Sequence, residues 1–201
     1  MASFIDRNKK LIFIHVPKTG GTSVHDAVAG VDAELIPASH ITTTDMRNLV
    51  GEDVYHKFMT FTVMRNPYDW LVSLFEYRYH VDIFSAAIPD HYSNFEMFID
   101  RFYSINENLQ SYWFVKDGVI DVDKVIDFSE LEADVQQIEP KATLKRLNAK
   151  DKYNFDNHYE SDTVRQKAEK LLRKDIQIYK ELFNDRGKSY RRNEEEGLAK
   201  S

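Results

Sequence analysis

The sequence predicts a three-layer α/β domain with a central, mainly parallel sheet, and three observations carry that reading. Short apolar, β-branched runs alternate along the chain with segments of helical periodicity. The two strongest runs, residues 11–16 and 57–64, each feed a helix through a short loop, as strands joined by crossover helices do. Leu11-Ile12-Phe13-Ile14-His15-Val16 is apolar almost throughout rather than alternating, which fits a strand buried on both faces.

Each element has a local reason. After the first strand, 17–23 forms a loop around Gly20-Gly21, and Ser23-Val24-His25-Asp26-Ala27-Val28 begins a helix that Gly30 ends. Residues 33–37 make a weak second strand, and Thr44 caps a short helix to Val50, with His40 between them. The second strong strand stops at Asn66-Pro67-Tyr68-Asp69, which supplies an N-cap, a proline at the first helical position and an acidic third residue. The helix that starts there carries Leu71, Val72, Leu74 and Phe75 at helical spacing and runs towards Tyr79. Residues 81–92, with Pro89, read as a surface excursion before the capping box Ser93-Asn94-Phe95-Glu96, which opens a helix over 95–102. A hairpin over 112–122 turns at Asp117-Gly118, followed by a strand over 124–128 and a helix over 131–138. The last large helix spans 163–183, with Val164, Ala168, Leu171, Leu172, Tyr179 and Leu182 at helical spacing. Residues 1–183 therefore make one domain, and the polar stretch 184–201 is expected to be a frayed tail.

Composition narrows the function. A chain of 201 residues, 42% hydrophobic and 30% charged, buries about 70% of its unfolded surface and needs no covalent staples. Its net charge of -6 disfavours generic nucleic-acid binding. The absence of cysteine excludes disulfides, thiolate metal ligands and a cysteine nucleophile. No run approaches the roughly 18 apolar residues of a membrane span, and the polar start is no signal peptide, so a cytoplasmic location is expected.

Ligands of such folds bind at the carboxyl ends of the strands, where 17–23 and 65–69 sit. A glycine loop running into a helix N-terminus is an anion site, because free amides and the helix dipole both favour negative charge. The loop is not that of a nucleotide triphosphatase. With Gly21 as the second glycine of G-x-x-x-x-G-K-[ST], Val16 takes the place of the first and Thr22 that of the lysine. The lysine is instead Lys18, on the opposite limb. Thr22 and Ser23 could bond an anion or simply cap the helix; Arg65, with its planar fork, could hold a phosphate or pair with an acidic side chain.

Ile12-Phe13-Ile14-His15-Val16-Pro17-Lys18-Thr19-Gly20-Gly21-Thr22-Ser23 resembles the 5′-phosphosulfate loop of sulfotransferases that use 3′-phosphoadenosine 5′-phosphosulfate (PAPS), above all those that act on carbohydrates. Phe61-Thr62-Val63-Met64-Arg65-Asn66-Pro67-Tyr68-Asp69-Trp70-Leu71-Val72-Ser73 resembles their 3′-phosphate signature, and weaker similarity continues through 128–132 and 148–159. The resemblance implies a P-loop-like fold, with Lys18, Thr19, Gly20, Gly21, Thr22 and Ser23 holding the 5′-phosphosulfate and Arg65 and Ser73 the 3′-phosphate. It implies PAPS as co-substrate, no metal, and a small-molecule or carbohydrate hydroxyl as acceptor, with neither nucleic acid nor membrane as partner. Two departures stand out: Trp70 replaces a frequent basic residue, and Asp127 a common arginine. The basic residues Lys141, Lys145, Arg146, Lys150 and Lys152 could complete the 3′-phosphate site, meet an acidic acceptor, or form a solvated face.

Lys18 is the natural stabiliser of the leaving phosphate oxygen, and a neutral histidine the usual base for an acceptor hydroxyl. Of the seven histidines, His40 is the candidate base, since it follows a strand at the same sheet edge as Lys18 and resembles a family position near the acceptor. A surface or capping histidine is the alternative. His15, inside its strand, reads as a packed core residue. Two other readings stand beside sulfuryl transfer: a nucleotide-dependent phosphotransferase with a degenerate loop, and a non-catalytic module that binds nucleotide or sulfated ligand.

Overall fold

The computed structural model describes residues 3–37, 40–82, 94–104, 108–144, 155–183 and 190–191. The chain opens on β1 (Phe4–Asp6), a strand that the polar first ten residues conceal, and returns antiparallel as β2 (Leu11–Ile14). Asp6 makes that reversal possible: its carboxylate accepts the Lys9 amide at 2.9 Å and, across the sheet edge, the Gly30 amide at 2.9 Å. There follow α1 (Gly21–Val28), β3 (Glu34–Leu35), α2 (Thr43–Val50), α3 (Glu52–Lys57) and β4 (Met59–Met64). The expected strand over 57–64 thus begins two residues late, because Lys57 closes α3, a helix whose acidic first turn and basic last turn suit its dipole. The cap of α2 is Thr42 rather than Thr44: its hydroxyl oxygen accepts the Asp45 amide at 3.1 Å and donates to the Asp45 carboxylate at 2.6 Å.

Beyond β4, Asn66 caps α4 (Pro67–Asp82) by accepting the Tyr68 amide at 3.0 Å, and Asn94 caps α5 (Phe95–Ser104) through the Met97 amide at 2.9 Å. A 3-10 turn over Gln110–Trp113 leads into the hairpin of β5 (Val115–Lys116) and β6 (Val119–Ile120). Its turn residues Asp117 and Gly118 have φ of 51° and 82°, the left-handed pair that a two-residue turn needs. Next come β7 (Lys124–Asp127), a 3-10 turn Phe128–Glu130, α6 (Leu131–Ile138), a 3-10 turn Phe155–Tyr159, α7 (Asp162–Phe183) and β8 (Tyr190–Arg191). The strand β8 pairs with β7, so Tyr190 and Arg191 are not frayed as their polarity suggested. The excursion 83–92, most of the basic stretch (145–154) and the rest of the tail lie outside the described residues.

The sheet runs β3-β1-β2-β4-β7-β8. Its three inner strands, β2, β4 and β7, are parallel, with Phe13 opposite Phe61 and Val63 opposite Ile126. The flanking pairs are antiparallel, so the sheet is mixed, with a parallel centre and antiparallel margins. Side-chain alternation divides the core. Phe13, Phe61, Val63 and Ile126 pack with Val24 and Val28 of α1 and Val135 of α6. Ile12, Ile14, Met64 and Val125 pack with Met46 of α2, Tyr55 of α3 and Phe183 of α7. Helices therefore cover both faces, and a third cluster joins α4, α5 and α7. Among the described residues no helix is long and apolar enough to cross a membrane.

Candidate active site

Parallel pairing of β2 with β4 brings the loops after them to one end of the sheet. The first loop is built around two backbone positions on the left-handed side, Lys18 (φ 65°) and Gly20 (φ 77°). For lysine this conformation costs about 1–2 kcal/mol, the kind of strain that surrounding contacts must hold in place. Those contacts are visible. Thr19 is buried and its hydroxyl donates to the Val16 carbonyl at 2.8 Å, so this side chain shapes the loop from inside. The Trp70 indole N–H donates to the Pro17 carbonyl at 2.8 Å, and the ring is buried between α4 and α5. The residue that replaces a frequent basic position is therefore a brace for the loop.

Gly20 is the N-cap of α1, no side chain caps that terminus, and the first turn holds no acidic residue. A terminus of that kind has the amides and dipole that favour an anion. Gly21 is required by packing: a Cβ there would lie 1.9 Å from His15 Cδ2. Thr22 is half-buried and Ser23 buried, both in the first turn of α1.

The second loop meets the first. Arg65 directs Nη1 to the Lys18 carbonyl at 3.5 Å, and its guanidinium lies 4.6 Å from the centre of the Phe128 ring. Phe128 also packs against Gly20, where a Cβ would be 3.0 Å from Phe128 Cε2. The Lys18 ammonium sits 4.2 Å from the centre of the Tyr77 ring on α4. Ser73, buried one turn before Tyr77, lies on that same helix face. Lys18, Gly20, Gly21 and Arg65 are thus brought together, with Ser73 on the helix face that Lys18 reaches.

His40 is held by a bond that settles its tautomer. Its Nδ1 lies 3.0 Å from the His15 carbonyl oxygen, which can only accept, so Nδ1 carries the hydrogen and the neutral ring keeps its lone pair on Nε2. Burial lowers the His40 pKa below the ordinary histidine value, opposed in part by that same hydrogen bond. The ring packs between His15, 4.5 Å away between centres, and Trp113, at 5.7 Å. His15 is buried against Phe13, as expected of a core residue, yet it also touches Gly21 and His40 and so forms the floor of the site.

Asp127, at the arginine position, accepts hydrogen bonds from the Tyr179 hydroxyl at 2.8 and 3.0 Å and from the Ser129 amide at 3.0 Å. It caps the turn that carries Phe128. Lys141 is exposed, and further positive charge lies elsewhere: Lys170, Arg173 and Lys180 of α7 line a groove of about 520 Å³ beside Tyr68. Among the described residues no group of three or more histidines and carboxylates is placed to hold a metal ion.

A family model described as the sulfotransferase family matches residues 1–185. The chain belongs to the sulfotransferase family. Comparisons with curated proteins and with solved structures give no significant match. Membership supports sulfuryl transfer as the general activity. Trp70, Tyr77, Gln110 and Phe128 escaped the sequence reading as members of the candidate site. Of these, Trp70 carried a signal as a departure from the family signature and Phe128 as the first residue of the weaker similarity over 128–132.

Proposed function

We propose that the protein transfers a sulfuryl group from PAPS to a hydroxyl of a carbohydrate acceptor. The observation that carries this reading is the contact of Arg65 Nη1 with the Lys18 carbonyl at 3.5 Å, which brings the loops after β2 and β4 together at one end of the sheet. The chemistry of the residues fits such a donor: the uncapped α1 terminus, Thr22 and Ser23 offer donors to a 5′-phosphosulfate, and Arg65 with Ser73 to a 3′-phosphate.

In this reading His40 Nε2 takes the proton from the acceptor hydroxyl as its oxygen bonds to sulfur, and Lys18 stabilises the phosphate oxygen released as the old S–O bond breaks. The low His40 pKa suits a base that must be unprotonated near neutrality. The site needs no metal, since the charge that develops falls on an oxygen within reach of a fixed cation.

The test is a screen of mono- and oligosaccharides with ³⁵S-labelled PAPS. Transfer of label to a sugar hydroxyl is expected. Donor binding with no transfer to any acceptor would contradict an enzyme and favour a binding module.

A further inference from the structure

The 3-10 turn Gln110–Trp113 belongs to neither signature loop, yet one end touches the Arg65 loop and the other touches His40. At its first residue, Gln110 is fully buried and makes a reciprocal pair with the Arg65 backbone: Arg65 N–H donates to Gln110 Oε1 at 2.9 Å, and Gln110 Nε2 donates to the Arg65 carbonyl at 2.9 Å. Such a pair fixes the peptide from which the guanidinium projects. At its last residue, Trp113 packs against the His40 ring, 5.7 Å between centres, which also contacts His15. The turn is itself held from α7. Asp175, fully buried, accepts the Gln110 amide on Oδ2 at 2.8 Å and the Ser111 amide on Oδ1 at 3.1 Å. A carboxylate is thus buried to cap a four-residue turn, a costly arrangement for an ordinary connection.

We propose that this Asp175-capped turn is the strut that sets the Arg65 anchor relative to His40, with Gln110 the positioning residue for Arg65 and Trp113 that for His40. The inference rests on the donor reading above only for what Arg65 binds. Two residues three apart in sequence then control separate halves of the site, donor recognition and base, and α7 sets both through one side chain.

The full chain would be titrated with 3′-phosphoadenosine 5′-phosphate (PAP) and with adenosine 5′-phosphate, which lacks the 3′-phosphate. Hydrogen exchange at the Arg65 amide and the NMR titration of His40 would be followed without ligand, with the signals of the neighbouring His15 ring assigned separately. Gln110→Ala should cut the preference for PAP over adenosine 5′-phosphate about tenfold and speed exchange at Arg65, leaving the His40 titration in place. Gln110→Glu, which keeps the acceptor and loses the donor, should lower the preference even if the alanine variant fails to fold. Trp113→Ala should do the reverse, raising the His40 midpoint towards the ordinary value and sparing the preference. Asp175→Asn should move both. Equal loss of affinity for the two nucleotides in the Gln110 variants with unchanged Arg65 exchange, or a His40 midpoint indifferent to Trp113, would overturn the strut. A wild-type protein that does not prefer PAP would overturn the donor reading instead, while exchange and titration still decide the strut.

Discussion

A methyl group on Gly21 would overlap the His15 ring, and that ring also packs against His40, so in the proposed reading this glycine links the donor loop to the base. Gly21→Ala should therefore destabilise the fold by about 1–3 kcal/mol, as forced overpacking does, and should also abolish donor binding. Calorimetry and thermal melts on one sample would check both effects. For His40 the sign follows from burial. Because its pKa is lowered in the folded chain, the unfolded chain binds the proton more tightly; the contribution to stability is present above the ordinary value and lost as pH falls through the folded one. Turnover should follow the same direction, with an acid limb lying below the ordinary histidine range. His40→Ala should reduce kcat by about 10²–10⁴-fold while leaving PAP affinity within error, which steady-state kinetics and calorimetry would separate. At this scale the sequence was legible where the pattern is local: the loops carrying Lys18, Gly20, Gly21 and Arg65 were expected at one end of the sheet, and the fold brings them together there. His15 was only half legible, since an apolar strand context identifies a buried ring and says nothing of what the ring touches. Gln110 was not legible, because its role depends on contacts with Arg65 and Asp175, 45 and 65 residues away.

Among the elements, α4 does more than follow a strand. Its Trp70 reaches back to the Pro17 carbonyl and its Tyr77 lies beneath the Lys18 ammonium, so the second signature braces the first. Trp70→Phe keeps the buried ring and removes the indole donor. The expected cost is about 1 kcal/mol of stability, together with a weaker grip on the 5′ end of the donor. A calorimetric comparison with Thr60→Val tests this, because Thr60 bonds Asp123 at the far end of β4 and its loss should lower stability while leaving donor affinity unchanged. Elements with strong local signals were predicted well, among them the Asn66-Pro67 start of α4, α6 and the Asp117-Gly118 turn. Those that depend on distant partners were not. The strand β1 is three residues long and is recognisable only once paired with β2, and β8 only once paired with β7. The helix α3 was not foreseen: residues 51–56 were assigned no element, and only its last residue, Lys57, was read into the strand, because Lys57-Phe58-Met59 carries no breaker.

Over the whole molecule, a net charge of -6 stands beside the site proposed for an anionic nucleotide. Local amides, one lysine and one arginine outweigh the global charge at the short range over which phosphate is held, since charges beyond about 10 Å are largely screened. The same balance disfavours a long, heavily sulfated polymer as acceptor. The parallel centre of the sheet was legible from its apolar strands and crossover helices; its antiparallel margins were not, because they are made by short, polar segments. Activity should survive EDTA unchanged, whereas a phosphotransferase working through a degenerate loop would lose magnesium-dependent turnover, and a labelled-transfer assay with and without chelator separates the two. The most direct measurement of the central claim is isothermal titration of PAP into wild type, Lys18→Ala and Arg65→Ala. Binding to the wild type that weakens at least tenfold in both variants is the predicted result. No binding to the wild type, or binding undiminished in both variants, would contradict it.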